Sequence, residues 1–331
     1  MLKYILKRLG LAILILLGVS LIIYVLVRCM PVNFVMDKIN AMQGTGGAVD
    51  EATVTAMLKT YGLEDNSFLG ILKGYFTWLG NLLTFNFGTS FVYGSPVIEV
   101  IKSHMGVSFM VALIATIFEF LIAIPLGITA ATHQYSIRDY VVTVLVMIGI
   151  SLPSFFFAQV LKYVFSTELG WLPTAGGEDA TQSVTGIAAV FSQFKFYVLP
   201  ILTVVILSIG GRMRMTRTEM LEVMNSDYIR TARAKGLGEG KVIYKHAFRN
   251  TLIPLATSLA GLLPSLFSGA IITEQIFNLP GIGNKAFAAL TKGDIPFIMG
   301  YNMFLAMLSV LGVLLADLMY AVVDPRVKLT D

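Results

Sequence analysis

Residues 105–131 read MGVSFMVALIATIFEFLIAIPLGITAA. Glu119 is the one charged side chain in this 27-residue run, and about 20 helical residues suffice to cross a hydrocarbon layer ~30 Å thick. Lipid offers no water to the backbone, so N–H and C=O groups must bond internally and the run must be helical. Five further apolar runs lie at residues 9–27, 140–161, 196–211, 252–273 and 297–323. They predict an all-α, polytopic membrane protein with six transmembrane helices. The 196–211 run is short and is expected to extend into its flanks.

Composition supports this solvent. The chain is 56% hydrophobic and 13% charged, against roughly 45–50% and about 25% in soluble domains. Cys29, the single cysteine, excludes an internal disulfide, and His104, His133 and His246 are too dispersed for a metal cluster. The net charge of +4 gathers in a few loops, which reads as a topology signal and not as a nucleic-acid footprint. With the N terminus inside, the inner segments hold three, one, nine and two Lys or Arg, against seven over longer outer segments. Both termini are therefore expected on the cytoplasmic side. Although Lys3, Lys7 and Arg8 open the first run as they would a signal peptide, its exit at Val27-Arg28-Cys29-Met30-Pro31 lacks a small-x-small cleavage pattern. An uncleaved helix is expected.

The chain divides on this reading into a peripheral helix (residues 1–29), an extracytoplasmic segment with short helices (30–104) and a five-helix core (105–331) containing a cytoplasmic loop at 212–250. Val54, Met57, Leu58 and Tyr61 have helical spacing behind a turn at Gly44, Gly46 and Gly47. A second outer loop spans residues 162–195.

Polar groups inside the spans are expensive and mark contacts or pathways. Glu119 is expected to face the bundle interior, either lining a translocation path or held at a helix contact. Asp317 reads as a structural group. Ser151, Pro153 and Ser154 suit a kink that serves a gate or close packing. Gly210-Gly211 is either a hinge or a helix end, and the sixteen methionines read as core filling.

The loop at 212–250 is the most informative soluble stretch. Its pattern allows two helices, one ending near Lys235 and one over about 240–248, with Gly236 and Gly238 in the turn. Such a basic hairpin could lie on anionic lipid or dock on a protein. No phosphate-cradling loop is present: Gly240-Lys241 is followed by Val242, and Lys235 stands where the first glycine belongs. Neither a catalytic triad nor a His-Glu-x-x-His pattern can be assembled, so the chain is expected to be non-catalytic.

The run Asp227-Tyr228-Ile229-Arg230-Thr231-Ala232-Arg233-Ala234-Lys235-Gly236-Leu237, followed by Lys245-His246-Ala247-Phe248-Arg249-Asn250 and Ile253-Pro254, resembles the signature loop of bacterial ABC importer permeases. It resembles most the peptide and nickel branch, and within it the oligopeptide or dipeptide permease B subunit. Gly236 and Ala232 fit the general signature; Arg230, Thr231, His246, Phe248 and Arg249 depart from it as that branch does. Phe87-Gly88-Thr89-Ser90, Pro96-Val97, Ser151-Leu152-Pro153-Ser154-Phe155, Trp171-Leu172-Pro173, Phe277-Asn278-Leu279-Pro280-Gly281-Ile282-Gly283 and Asp324-Pro325-Arg326 resemble the family in the same order.

The resemblance implies a type I ABC importer permease fold in the bacterial inner membrane. It further implies import of oligopeptides or dipeptides, with nickel or another small solute as the alternative, and an ion-coupled secondary transporter as a more distant one. The implied partners are a homologous second permease, two cytoplasmic ATPase subunits that carry ATP and Mg, an extracytoplasmic peptide-binding protein, membrane lipid and the peptide substrate. No cofactor or metal is expected in this chain itself. A coupling helix is implied near residues 237–247. The residues assigned to ATPase coupling are Arg230, Thr231, Ala232, Arg233, Ala234, Lys235, Gly236, Leu237, Lys241, Val242, Ile243, Tyr244, Lys245, His246 and Asn250. Val242, Ile243 and Tyr244 are its candidate anchors, and Arg233, Lys235, Lys241 and Lys245 its candidate rim charges. Glu119, Ser151, Pro153 and Ser154 are the candidate pore or gate residues.

Overall fold

A computed structural model describes residues 2–28, 67–176 and 187–323. The expected helix at 50–63, the glycine turn before it and Asp324-Pro325-Arg326 lie outside these residues. The described chain is helical, with one isolated bridge between Thr89 and Pro96. In order the helices are α1 (Leu2–Arg28), α2 (Phe68–Leu83), α3 (Val97–Thr132), α4 (Ile137–Ser151), α5 (Ser154–Lys162), α6 (Ile187–Met224), α7 (Asp227–Ala234), α8 (Arg249–Ala260), α9 (Leu263–Ser268), α10 (Ile271–Ile276), α11 (Ile282–Thr291) and α12 (Ile295–Val323). Two π-helical segments, Tyr163–Glu168 and Lys241–Phe248, follow α5 and precede α8.

Four helices are long and apolar enough to span a bilayer, over Gly10–Val27, Val97–Thr132, Phe194–Met224 and Ile295–Ala316. Their outward faces are apolar and exposed, as at Leu14, Leu26, Leu121 and Val313, which is the arrangement lipid would cover. The fourth expected span indeed extends into its flanks: α6 continues 13 residues beyond Gly211 and carries Arg212, Arg214 and Arg217 on a helix, not in a loop.

Two expected spans are not continuous. The 140–161 run is bent by 97° between α4 and α5. Leu152 adopts an extended ψ of 132° before Pro153, because a prolyl ring excludes helical geometry at the residue before it and removes the next N–H donor. The result is a broken span, sharper than a kink. The 252–273 run is divided among α8, α9 and α10. Pro264 opens α9, and Gly269 ends it at φ 69°, a left-handed conformation that costs glycine little. By length and composition the described chain therefore has four spans, or five if the bent pair counts as one. Hydropathy registers composition and is blind to such interruptions.

The described residues form two compact units. One draws on residues up to 106 and on 281–311. Its core joins Tyr24, Tyr75 and Trp78 to Val97, Ile101, Phe297 and Met299, and Ser20 shares a 2.8 Å hydrogen bond with the Tyr75 hydroxyl. Asp294 caps α12 by accepting from the Phe297 N–H at 3.2 Å, a stabilising position for an anion. Its carboxylate also accepts from the Ser90 hydroxyl and from the backbone N–H groups of Phe91 and Val92. Nearby, the Tyr93 hydroxyl donates to the Lys285 carbonyl at 2.8 Å. Burial, and then the charge of Asp294, push this phenol up to about 12, so it remains a neutral donor. Asp294→Asn replaces one acceptor oxygen with an NH2 donor that faces other donors and is expected to cost about 1–3 kcal/mol. A lower melting temperature of the detergent-purified protein is the readout.

The other unit draws on residues 107–280 and on α12 from 312. One core cluster packs Val111, Ala115, Ala158, Leu161, Leu199 and Phe277. A second packs Ile128 and Ala131 of α3 against Met220 of α6, Ile229 and Ala232 of α7, and Val242 and Ala247 beyond it. Gly210 does not end a helix here, since α6 continues to Met224. It is buried, and a Cβ at its position would sit 2.2 Å from the Ile150 side chain, so its role is close approach of α4 to α6.

A candidate coupling hairpin

The hairpin at residues 227–248 follows from local chemistry. Ser226 precedes α7 in extended conformation, and Asp227 places an anion in the first turn while Arg233 places a cation in the last, both favourable to the helix dipole. Ile229 and Ala232, three apart, turn to one face and are buried. Gly236 ends the helix at φ 76°. The N–H of Gly236 bonds the Arg233 carbonyl at 2.9 Å and that of Leu237 bonds the Ala232 carbonyl at 3.4 Å, the paired bonds of a Schellman cap. The chain then re-enters through the π-helical segment Lys241–Phe248, which runs straight into α8.

One face of this hairpin belongs to the core. Ile229 and Val242 are fully buried, each worth roughly 1.5–3 kcal/mol. Val242, expected as an outward anchor, therefore points inward. Its neighbour Tyr244 is 62% exposed and Ile243 is partly buried. Leu237 and Tyr228 complete the exposed apolar surface. Around them Arg230, Thr231, Ala234, Lys235, Lys241, Lys245 and Asn250 are exposed, while His246 is half-buried. Arg233 is ion-paired with Glu239 at 2.9 Å, which tightens the turn. Arg230 and Asp227 approach only to 3.9 Å and are largely exposed, a contact worth little. Lys235, Lys241 and Lys245 have no ion pair among the described residues.

The legs of the hairpin, α6 and α8, are tied together above it. The Thr251 hydroxyl donates to Met220 Sδ at 3.3 Å. Deeper in, Arg212 Nε donates to Glu119 Oε1 at 3.1 Å, and Arg212 Nη1 to Ser258 Oγ at 2.7 Å. The guanidinium also lies 4.3 Å from the centre of the Phe120 ring. Glu119 thus has a partner 93 residues away, and one ionic knot joins α3, α6 and α8. A second tie fixes α6 to α4: Arg217 donates to both Asp139 oxygens, at 2.9 and 2.8 Å. Sequence reading found Glu119 because it is a charge in lipid; it missed Arg212, which lies in a basic run that reads as a loop.

The remaining expected gate residues lie at the α4–α5 break. The Ser151 hydroxyl donates to the Met147 carbonyl at 2.8 Å, Pro153 is exposed, and Ser154 is the first residue of α5. The side chain of Asp317 lies outside the described residues. Among the described residues no group of three or more His, Cys, Asp or Glu is placed to hold a metal ion.

Exposed apolar spans, broken spans that leave irregular backbone, and a basic hairpin rooted in two helices define the class: a polytopic membrane protein. Residues 123–329 match the family described as the binding-protein-dependent transport system inner membrane component, and the chain belongs to it. It is 36% identical over 332 residues to the oligopeptide transport system permease protein AppB of Bacillus subtilis, covering 99% of this chain and 100% of that one. It is 34% identical over 342 residues to the dipeptide transport system permease protein DppB of Alkalihalophilus pseudofirmus, with 99% and 100% covered. A putative peptide transport system permease protein of Brucella abortus is 35% identical over 324 residues, with 98% of each chain covered.

Proposed function

We propose that this chain forms half of the pore of an ATP-driven peptide importer, and that its hairpin is the element on which a cytoplasmic ATPase acts. The observation that carries this reading is the two-sided hairpin. Its inner face is packed into the ends of α3 and α6, while Tyr244, Leu237, Lys235, Lys241 and Lys245 remain outside. An element meant only to cap the bundle would not need that outer surface. The peptide assignment rests on relatives named for oligopeptide and dipeptide transport.

In this mechanism a second, homologous permease completes the pore and a binding protein delivers cargo from outside. Both termini and the hairpin face the cytoplasm, and two ATPase subunits supply the ATP and Mg chemistry. This chain contributes no catalytic group. Closure of the ATPases pushes the hairpin. Because α6 and α8 leave it as its two legs and are knotted at Arg212–Ser258, they move together and carry α3 through Glu119. The pore then opens outward, and resets after hydrolysis. The α4–α5 break at Leu152-Pro153 offers irregular backbone where a gate needs it.

Uptake of labelled di-, tetra- and octapeptides by cells lacking this gene tests the substrate. Loss of uptake for at least one length is expected. Unchanged peptide uptake with lost nickel accumulation would move the assignment to nickel.

A further inference from the structure

An open groove of about 450 Å³ runs between α4 and α6. The two helices are antiparallel along it, since Arg217 meets Asp139 at one end and Gly210 meets Ile150 towards the other. The lining therefore sorts along the helix axes. Tyr135, Tyr140 and the Arg217–Asp139 pair form one end; Val146, Met147 and Met213 line the other, where Arg214 Nη2 lies 2.9 Å from Met147 Sδ. From Asp139 to Met147 is about 12 Å of helix, a distance on the scale of a headgroup and the first carbons of an acyl chain.

Charge in the groove is not balanced. The Asp139 carboxylate is already occupied, accepting from Arg217, from the Tyr135 N–H at 3.0 Å and from the Thr143 hydroxyl at 3.4 Å. Arg214 is exposed, and its Nη2 has Met147 Sδ at 2.9 Å, a thioether and so a weak acceptor. Tyr135 and Tyr140 are 73% and 60% exposed, amphipathic rings of the kind found at the membrane–water boundary.

We propose that this groove binds an anionic phospholipid, its phosphate on Arg214 and its upper acyl chain on Val146 and Met147. An arginine with no carboxylate partner among the described residues, beside apolar side chains, complements an anionic amphiphile, which neither a zwitterionic lipid nor a free anion matches in full. Only the choice of the cytoplasmic leaflet rests on the orientation proposed above.

The test is native mass spectrometry of the importer complex extracted from vesicles of equimolar phosphatidylglycerol and phosphatidylcholine with identical chains. Retained phosphatidylglycerol is expected to exceed phosphatidylcholine, and Arg214→Gln to reduce that preference about five-fold, the effect of one arginine near an anionic surface. Arg214→Lys keeps part of the preference, and excess inorganic phosphate leaves the bound lipid in place. An unchanged preference in Arg214→Gln overturns the proposal. So does displacement by inorganic phosphate, which would make this a simple anion site, or cross-linking of a second permease through Tyr140→Cys, which would make it a protein interface. Orientation is read separately, by labelling Lys245→Cys, in a chain whose Cys29 is replaced by serine, with an impermeant maleimide from each side. Labelling from outside would reverse the leaflet and leave the Arg214 comparison standing.

Discussion

Glu119→Leu is expected to cost about 3–5 kcal/mol, because it strands a buried arginine that cannot shed its charge. Arg212 is only 11% exposed at its side chain, and Ser258 alone cannot neutralise it. The readouts are the melting temperature of the purified complex and the ratio of peptide transported to ATP hydrolysed. A double variant, Glu119→Leu with Arg212→Met, removes both charges and is expected to recover most of the melting temperature. Its transport is expected to stay low, because α3 is no longer tied to the hairpin's legs. Equal melting temperatures for the single and double variants would mean that the two charges are not coupled.

Tyr244→Ala is expected to weaken association with the ATPase by at least about 2 kcal/mol, roughly 30-fold, as removal of a central aromatic anchor does. The side chain is exposed, so the fold of the permease itself is expected to persist. Val242→Ala is the matched control. That residue is fully buried among Met220, Ile229 and Ala247, so its truncation leaves a cavity and lowers permease stability. Binding of purified ATPase to reconstituted permease, measured beside thermal unfolding, separates the two effects. A Tyr244→Ala variant that binds as the wild type does would remove this residue from the interface.

What was legible in the sequence follows from which forces act locally. The spans α1, α3 and α12 were readable because lipid demands long apolar runs, and α7 was readable because Ile229 and Ala232 share a face and Gly236 supplies the turn. Pro153 announced a kink in the third span but not its 97° bend, and the division of 252–273 was not readable, since apolar composition persists through an interrupted helix. Val242, Ile243 and Tyr244 are consecutive, so composition could not say which faces the core, and the π-helical turn there departs from a 3.6-residue period. Arg212–Glu119 and Ser90–Asp294 join residues 93 and 204 positions apart. No local pattern announces such pairs; only packing brings them together.

The proposed coupling requires contact between the hairpin and an ATPase. Tyr244→Cys, in a chain whose own Cys29 has been replaced by serine, supplies one thiol at the exposed tip for cross-linking in the assembled importer. A cross-link to the ATPase whose yield changes between nucleotide-free and ATP-bound states is the result expected. Modification only by lipid-soluble or aqueous reagents, with no ATPase adduct in any nucleotide state, would contradict it.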